Sequence, residues 1–329
     1  MAAGAASLCW GADASPSSVA ALSLNGGVYT PAGVQPGEQL GSVTALYKQG
    51  GLIVWQDNTV GKGFAIRAKM LGPDLSASSS AFTFAAADSD LIDDQENPAA
   101  AIRPDGVAVV AWQSGVRGQQ NTKIRFFSGG AFTTAEIRTA GGTNVNEMAP
   151  SVTFLSDGTA LVAWASQDLT QGPAPVSSVW AQRFSVSGQK VGSLVQINDP
   201  ANSNQRSVTV APMQNGGFAA AWVNETEGDV PTADVQIRAF DASNAVVSSQ
   251  RVNMSSMTCD APKLAAMDGG KLLAVWSQVD ISTNLGWNVV GRGYDAQAQS
   301  MGPSFQINTT TAGNQLEPRI ASAGAEAFV

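Results

Sequence analysis

The sequence predicts an all-β chain folded as a β-propeller of four-stranded blades, and three observations predict it. The first is a unit that recurs about every 55 residues, a spacing that marks repeat architectures. A tight turn leads into a short apolar run closing on tryptophan: KQGGLIVWQD at Trp55, RPDGVAVVAWQS at Trp112, SDGTALVAWASQ at Trp164, QNGGFAAAWVN at Trp222 and DGGKLLAVWSQ at Trp276. The second is that this run is apolar on both alternating sets of positions, Leu161 and Ala163 against Val162 and Trp164, so the strand is sandwiched between neighbouring sheets. The third is the missing cap. A linear stack of such sheets leaves two apolar end faces, and no atypical repeat covers them, whereas radial packing gives every copy two neighbours.

Each blade reads as four short strands. The clearest copy runs through APSVTFL, the Asp157-Gly158 turn, TALVAWAS, the loop QDLTQGPAP, SVWAQRFS, a turn at Val186-Ser187-Gly188, and SLVQIN. The segments are rich in Val, Thr, Phe and Trp and bounded by Gly, Pro, Asn or Asp, which is strand and hairpin chemistry. Polar linkers such as QINDPANSNQ, VNMSSMTCDAP and QINTTTAGNQLEP join the blades. Pro98, Pro150, Pro262 and Pro318 are read as the first residue of the following strand, where no ladder donor is lost, with Gly41 in the equivalent place. The Trp222 copy lacks this proline, and a small bulge is expected near Arg206 to Val210. In the third strand Arg125, Arg238 and Arg292 precede a large residue by two places, and their stems are read as covering apolar surface.

The ends set the blade count. Trp10 is read as a further second strand, and GNQLEPRIASAG as a linker and first strand. If this C-terminal strand joins SLCW, SVAALSLNG and GVYTPAG, residues 1–329 form one domain of six blades, with cores at Trp10, Trp55, Trp112, Trp164, Trp222 and Trp276. Such closure removes sheet edges. The tail AEAFV competes with SLCW for one place, which leaves seven blades, or a fragment of a longer repeat protein, as the alternative.

Composition narrows the function classes. With 18 Lys and Arg against 26 Asp and Glu the net charge is −8, which argues against a nucleic-acid partner, since that affinity rests on clustered cations. No apolar run is long enough to insert in a membrane, and MAAGAASLCWGADASPSS has neither the basic start nor the apolar core of a signal peptide. Cys9 and Cys259 are too few for a disulfide framework, and Cys9 fills a slot held elsewhere by Val or Ala. The chain has no histidine, which removes Ser-His-Asp catalysis and histidine metal sites and leaves carboxylates, hydroxyls, Lys, Arg and Tyr.

The DG or GG turn, the run ending in Ala-Trp or Val-Trp, the RxF-like third strand and the QIN or RVN exit resemble the propeller-forming repeats of large bacterial surface and secreted proteins, including some adhesins. The resemblance spans about Gly37 to Pro318 and implies an extracellular or surface setting in an appendage or particle-like assembly. The Ser-x-Asp-x-Gly-x-Thr-Trp box of sialidase repeats and the Gly-His and Trp-Asp pairs of WD repeats are missing, so neither activity carries over.

Alternating strand direction sends the linkers and the loops between second and third strands to one face, which should be acidic. The densest run on it, DSDLIDDQEN, holds Asp88, Asp90, Asp93, Asp94 and Glu96. Its first four carboxylates are candidate ligands for Ca²⁺, the one cofactor the chain suggests, although the spacing is not that of an EF-hand. Glu96, Glu147, Asp260 and Glu317 lie near the starts of first strands and are expected at the mouth of the central channel. Trp180 and Trp287 are candidates for stacking on sugar rings. These residues lead to the expectation of a non-enzymatic binding module that presents its acidic face to a protein or glycan partner. Two alternatives stand beside it, a carbohydrate-binding lectin and a carboxylate-dependent glycan hydrolase.

Overall fold

The computed structural model describes residues 37–58, 63–86, 94–172, 175–200, 203–226, 232–253, 257–280, 286–310 and 312–329, together with the backbone of two N-terminal strands. They fall into two compact units, Val28–Asn198, and Met1–Gly27 with Asp199–Val329. The N-terminal strands are β1 (Ala6–Trp10) and β2 (Pro16–Ala21).

The Val28–Asn198 unit holds three antiparallel sheets in chain order. The first is β3 (Gln39–Tyr47), β4 (Gly50–Asp57), β5 (Ala65–Leu71) and β6 (Phe82–Ala85). The second is β7 (Asp94–Ile102), β8 (Ala108–Gly115) and β9 (Asn121–Ser128), with the short β10 (Ala131–Phe132) and β11 (Ile137–Arg138) both pairing β9. The third is β12 (Val145–Phe154), β13 (Ala160–Asp168), β14 (Ser177–Phe184) and β15 (Lys190–Gln196).

The other unit contains β16 (Asn204–Pro212), β17 (Phe218–Thr226), β18 (Thr232–Phe240) and β19 (Val246–Arg251), then β20 (Met257–Ala266), β21 (Leu272–Asp280), β22 (Asn288–Tyr294) and β23 (Phe305–Gln306). Its remaining sheet has the order β24 (Ala321–Ala323), β25 (Glu326–Phe328), β1, β2. The chain's two ends thus share a sheet, but not by the expected division. The C-terminal tail supplies two strands, so Trp10 lies in a third strand and is not a blade core. The reason is local: Gly324, at φ +65°, turns the tail back on itself, and Ala327 is fully buried beside Leu273 and Val275 in the place SLCW was expected to take. The stretch GVYTPAG lies outside the described residues.

The five other tryptophans read as blade cores, Trp55, Trp112, Trp164, Trp222 and Trp276, sit in second strands, and the double-sided apolarity is real: Val162, Ala163 and Trp164 are fully buried. Three of these cores lie between successive sheets of one unit. Trp112 packs with Val54 and Ile66 of the preceding sheet, Trp164 with Val109 and Ala111, and Trp276 with Ala219 and Ala221. The turns carry the geometry expected of them. Gly158 is left-handed at φ +83°, while Asp157 Oδ1 accepts from both the N–H and the hydroxyl of Thr159. At Gly217 the constraint is space, because a Cβ there would meet the Phe240 carbonyl at 1.8 Å.

The prolines are not at strand starts. First strands begin earlier, and each carries a β-bulge whose first residue is left-handed: Gly41 (φ +58°), Asn97 (+51°), Ala149 (+48°), Ser207 (+56°) and Ala261 (+50°). Pro98, Pro150 and Pro262 are the next residue, where the ladder is already interrupted and a missing N–H is tolerated. Glu317 (φ +54°) and Pro318 repeat the pattern before β24. The bulge expected only near Arg206 is therefore common to these first strands, and Gly41 matches the residue before the proline.

Two third-strand arginines join sheets, and a third holds a linker. Arg125 lies 3.5 Å over the Phe132 ring and donates to the Phe84 carbonyl of the preceding sheet at 3.1 Å. Arg292 does the same to the Val252 carbonyl at 3.2 Å, and Arg238 grips Asp199 with two bonds of 3.0 and 2.6 Å.

Candidate functional site

Within each unit successive first strands pack side by side, β3 on β7 and β7 on β12 in one, β16 on β20 in the other. The residues flanking the bulges are thereby brought together. Aligned on the bulge, the residue before it is Leu40, Glu96 and Met148 in the Val28–Asn198 unit, and Arg206, Asp260 and Leu316 in the other. Two places after the left-handed residue stand Val43, Ala99 and Ser151 in the first, and Thr209, Lys263 and Arg319 in the second.

In the Val28–Asn198 unit the carboxylates are absorbed by a buried polar network. Glu96 accepts from Arg117 Nη2 at 3.1 Å and from Gln120 Nε2 at 2.9 Å. Gln113 donates to Gln120 Oε1 at 2.9 Å, and its own Oε1 accepts from Asn97 Nδ2 at 2.5 Å and the Ala149 N–H at 2.9 Å. Glu147 is 2% exposed; its N–H donates to the Gln120 carbonyl and its Oε2 accepts the Thr122 N–H at 2.5 Å. Burial holds the Glu147 carboxyl above the usual range, against the opposing pull of the Thr122 N–H, Arg138 and Lys190. Glu147 thus ties β12 to the start of β9, and Gln113 joins the bulges of β7 and β12.

In the other unit, ionic side chains stand in the same places and reach solvent. Arg206 Nε donates to Glu225 Oε1 at 2.5 Å and its Nη1 to Asp260 Oδ1, tying β16 to β17 and to β20. Asp260 is 41% exposed at its side chain and also accepts the Ala261 N–H at 2.6 Å. The Glu317 N–H donates to Ser277 Oγ at 3.1 Å, and Ser277 is the ladder partner of Asp260, so the exposed Glu317 comes to the same strand ends. Lys263 is half-buried. Burial and the Arg319 charge hold its ammonium below the ordinary lysine range, against the smaller pull of Glu317 and Asp260.

Of the residues singled out from sequence, Asp260 and Glu317 are therefore brought together in the open, while Glu96 and Glu147 are structural. Asp88, Asp90 and Asp93 lie outside the described residues. Asp94 accepts the Phe64 N–H at 2.9 Å, and among the described residues no group of three or more His, Cys, Asp or Glu could hold a metal ion. Trp180 is the ladder partner of Trp164 and packs against the core between sheets, which is a structural place. Trp287 is half-buried, with its N–H on Asn314 Oδ1 at 3.1 Å. Sequence reasoning missed Arg206, Glu225, Lys263 and Arg319. The signal lay beside the prolines: Lys263 and Arg319 directly follow Pro262 and Pro318, where sister copies hold Ala99 and Ser151, and Arg206 stands where they hold Leu40, Glu96 and Met148.

No described helix is long and apolar enough to cross a membrane. No protein-family model matches the sequence, and neither does any curated protein. Among solved structures the chain is similar to a protein of unknown function from Dyadobacter fermentans, at 9% identity and a TM-score of 0.56 over 83% of each chain. It is also similar to an ulvan lyase of a new polysaccharide lyase family, at 8% identity and a TM-score of 0.55 over 84% of this chain and 77% of that one. A Hadza microbial sialidase follows, at 10% identity and a TM-score of 0.51, matched over 80% of this chain and 57% of its own. At these identities the likeness shows the fold, an all-β array of four-stranded antiparallel sheets of propeller type. It also corrects the expectation of a non-enzymatic module. Two of the structures that share this fold are named as glycan-active enzymes, so the build of the chain gives no ground for excluding catalysis, and the lack of histidine leaves carboxylate chemistry intact.

Proposed function

We propose that this protein is a glycan-active β-propeller of six four-stranded blades, cleaving a polysaccharide with carboxylates at the ends of its first strands. The observation that carries this is the clustering of Asp260 and Glu317 with Arg206, Glu225, Lys263 and Arg319, where the Val28–Asn198 unit has Leu40, Met148, Val43, Ala99, Ser151 and the buried Glu96 held by Gln120. Paired carboxylates supply the acid and the base or nucleophile of glycosidic cleavage. Asp260, ion-paired with Arg206, suits the role of the ionised partner; Glu317, open to solvent, suits proton exchange with the leaving oxygen. The glycan-active relatives in fold support the substrate class, and the resemblance to bacterial surface and secreted repeats supports an extracellular setting.

The test is a reducing-end assay over a panel of plant, algal and bacterial polysaccharides, run with the wild type, Asp260→Asn and Glu317→Gln. Turnover of at least one glycan is expected, with a loss of about a hundredfold or more in each variant. Binding without turnover, unchanged in either variant, assigns the chain to the carbohydrate-binding proteins instead. Neither binding nor turnover of any glycan overturns the proposal.

A further inference from the structure

We infer that Lys263 and Arg319 form a subsite for the negatively charged group of an acidic polysaccharide, a uronate carboxylate or a sulfate ester; the inference rests on the glycan reading above and names its substrate class. The two residues occupy the same position, two places after a left-handed residue, Lys263 within β20 and Arg319 just ahead of β24. The Glu317 N–H, bonded to Ser277 Oγ, fixes the stretch that carries Arg319 against the β20–β21 pair. Two cations are thus held together at the open strand ends of a chain whose net charge is −8.

Neither cation forms an ion pair among the described residues, although Glu317 and Asp260 lie near Lys263. Among the described residues the Lys263 ammonium makes no hydrogen bond or ion pair, and Arg319 donates to the Pro318 carbonyl at 3.4 Å. Arg206, by contrast, is spent on Glu225 and Asp260. Like charges placed side by side repel, and a bound anion between them relieves the repulsion. The depressed Lys263 ammonium agrees with such an arrangement. A guanidinium offers a planar fork to carboxylate or sulfate oxygens and an ammonium offers a point charge, so the pair can meet one anionic group from two sides.

Binding to polygalacturonate, dextran sulfate and neutral dextran, measured by calorimetry at low and raised salt, tests this in the full chain. The wild type is expected to bind one of the charged polymers, with affinity falling as salt rises, and Lys263→Met and Arg319→Gln are each expected to weaken it about tenfold or more. Which polymer is held separates carboxylate from sulfate. A net negative protein has no general attraction for polyanions, so such binding reports a local site. Arg319→Gln changes an exposed side chain and Lys263→Met keeps the buried stem; thermal melts confirm that both fold. Variants that bind as tightly as the wild type overturn the subsite. So does binding or cleavage of neutral glycans only, which leaves the glycan reading standing. A chain that binds and cleaves no glycan of any kind overturns both.

Discussion

Glu147 serves the backbone of a neighbouring sheet: its Oε2 accepts the N–H of Thr122 at 2.5 Å. In three other sheets the matching N–H, of Val179, Val235 and Val289, is taken at 2.9, 2.8 and 2.8 Å by Asn198, Asn253 and Asn308 of the exit motif. The β7–β9 sheet has Ala140 at that place, which offers no side-chain acceptor, and the first strand beyond it supplies one. Glu147 also holds the slot where Gln95 and Gln205 accept the indole N–H of Trp112 and Trp222 at 2.7 Å. Among the described residues its own sheet's Trp164 Nε1 is buried without a hydrogen-bond partner.

Glu147→Gln should therefore stabilise the protein at neutral pH. The folded state raises the Glu147 pKa, so its contribution is fully present while the group is protonated and is lost as pH rises through the folded value. Glutamine mimics the protonated form at every pH. Melting temperatures of variant and wild type should converge below the ordinary glutamate value of 4.5 and separate above it. A constant gap, or a less stable variant at pH 7, would contradict this account.

The indoles should respond unequally to loss of their nitrogen. Trp112→Phe removes a made bond and strands Gln95 Oε1 in the core, whereas Trp164→Phe removes a donor that has no partner. Both lose packing, so the difference isolates the hydrogen bond. Trp112→Phe is expected to be more destabilising than Trp164→Phe by about 1 kcal/mol in urea unfolding.

The bulge inverts ordinary strand preferences. At Ala149, with φ +48°, valine should destabilise by roughly 2 kcal/mol or more, since a β-branched side chain resists the left-handed region. Glycine should leave stability within about 0.5 kcal/mol of the wild type, because the strain it relieves offsets its freedom in the unfolded chain. Denaturant midpoints of the two variants would decide the matter.

Arg125 should act as a joint between sheets. Arg125→Met keeps the stem but loses the bonds to the Phe84 and Thr134 carbonyls and the stacking on Phe132. The expected loss is about 2 kcal/mol. Arg125→Lys should recover little of it, since an ammonium cannot stack flat on the ring while bonding two carbonyls. Full rescue by lysine would show that charge alone matters.

The second strands were legible because the same residues carry both signals. Trp164 and its neighbours show apolarity on two faces, and the turn before them holds Asp157 and Gly158. The bulge was not, because its cause is backbone conformation at residues as different as Gly41, Asn97, Ala149, Ser207 and Ala261, which share no side-chain signature. Proline was visible and drew the strand start to itself. The site was legible only in part: Asp260 and Glu317 were found as carboxylates, and Lys263 and Arg319 directly follow Pro262 and Pro318, yet a sequence does not show that these cations lie beside those carboxylates. Glu96 and Glu147 looked like their equals, since a sequence does not show that Gln120 and Thr122 lie within hydrogen-bond reach.

The sheet shared by the chain's ends also sets an order of events during synthesis. Ser7 pairs with Phe328 and Cys9 with Glu326, so one edge of the β1–β2 hairpin is covered only by a strand that lies more than 300 residues later in the chain. Until those later residues have been translated that edge has to be kept from strange strands.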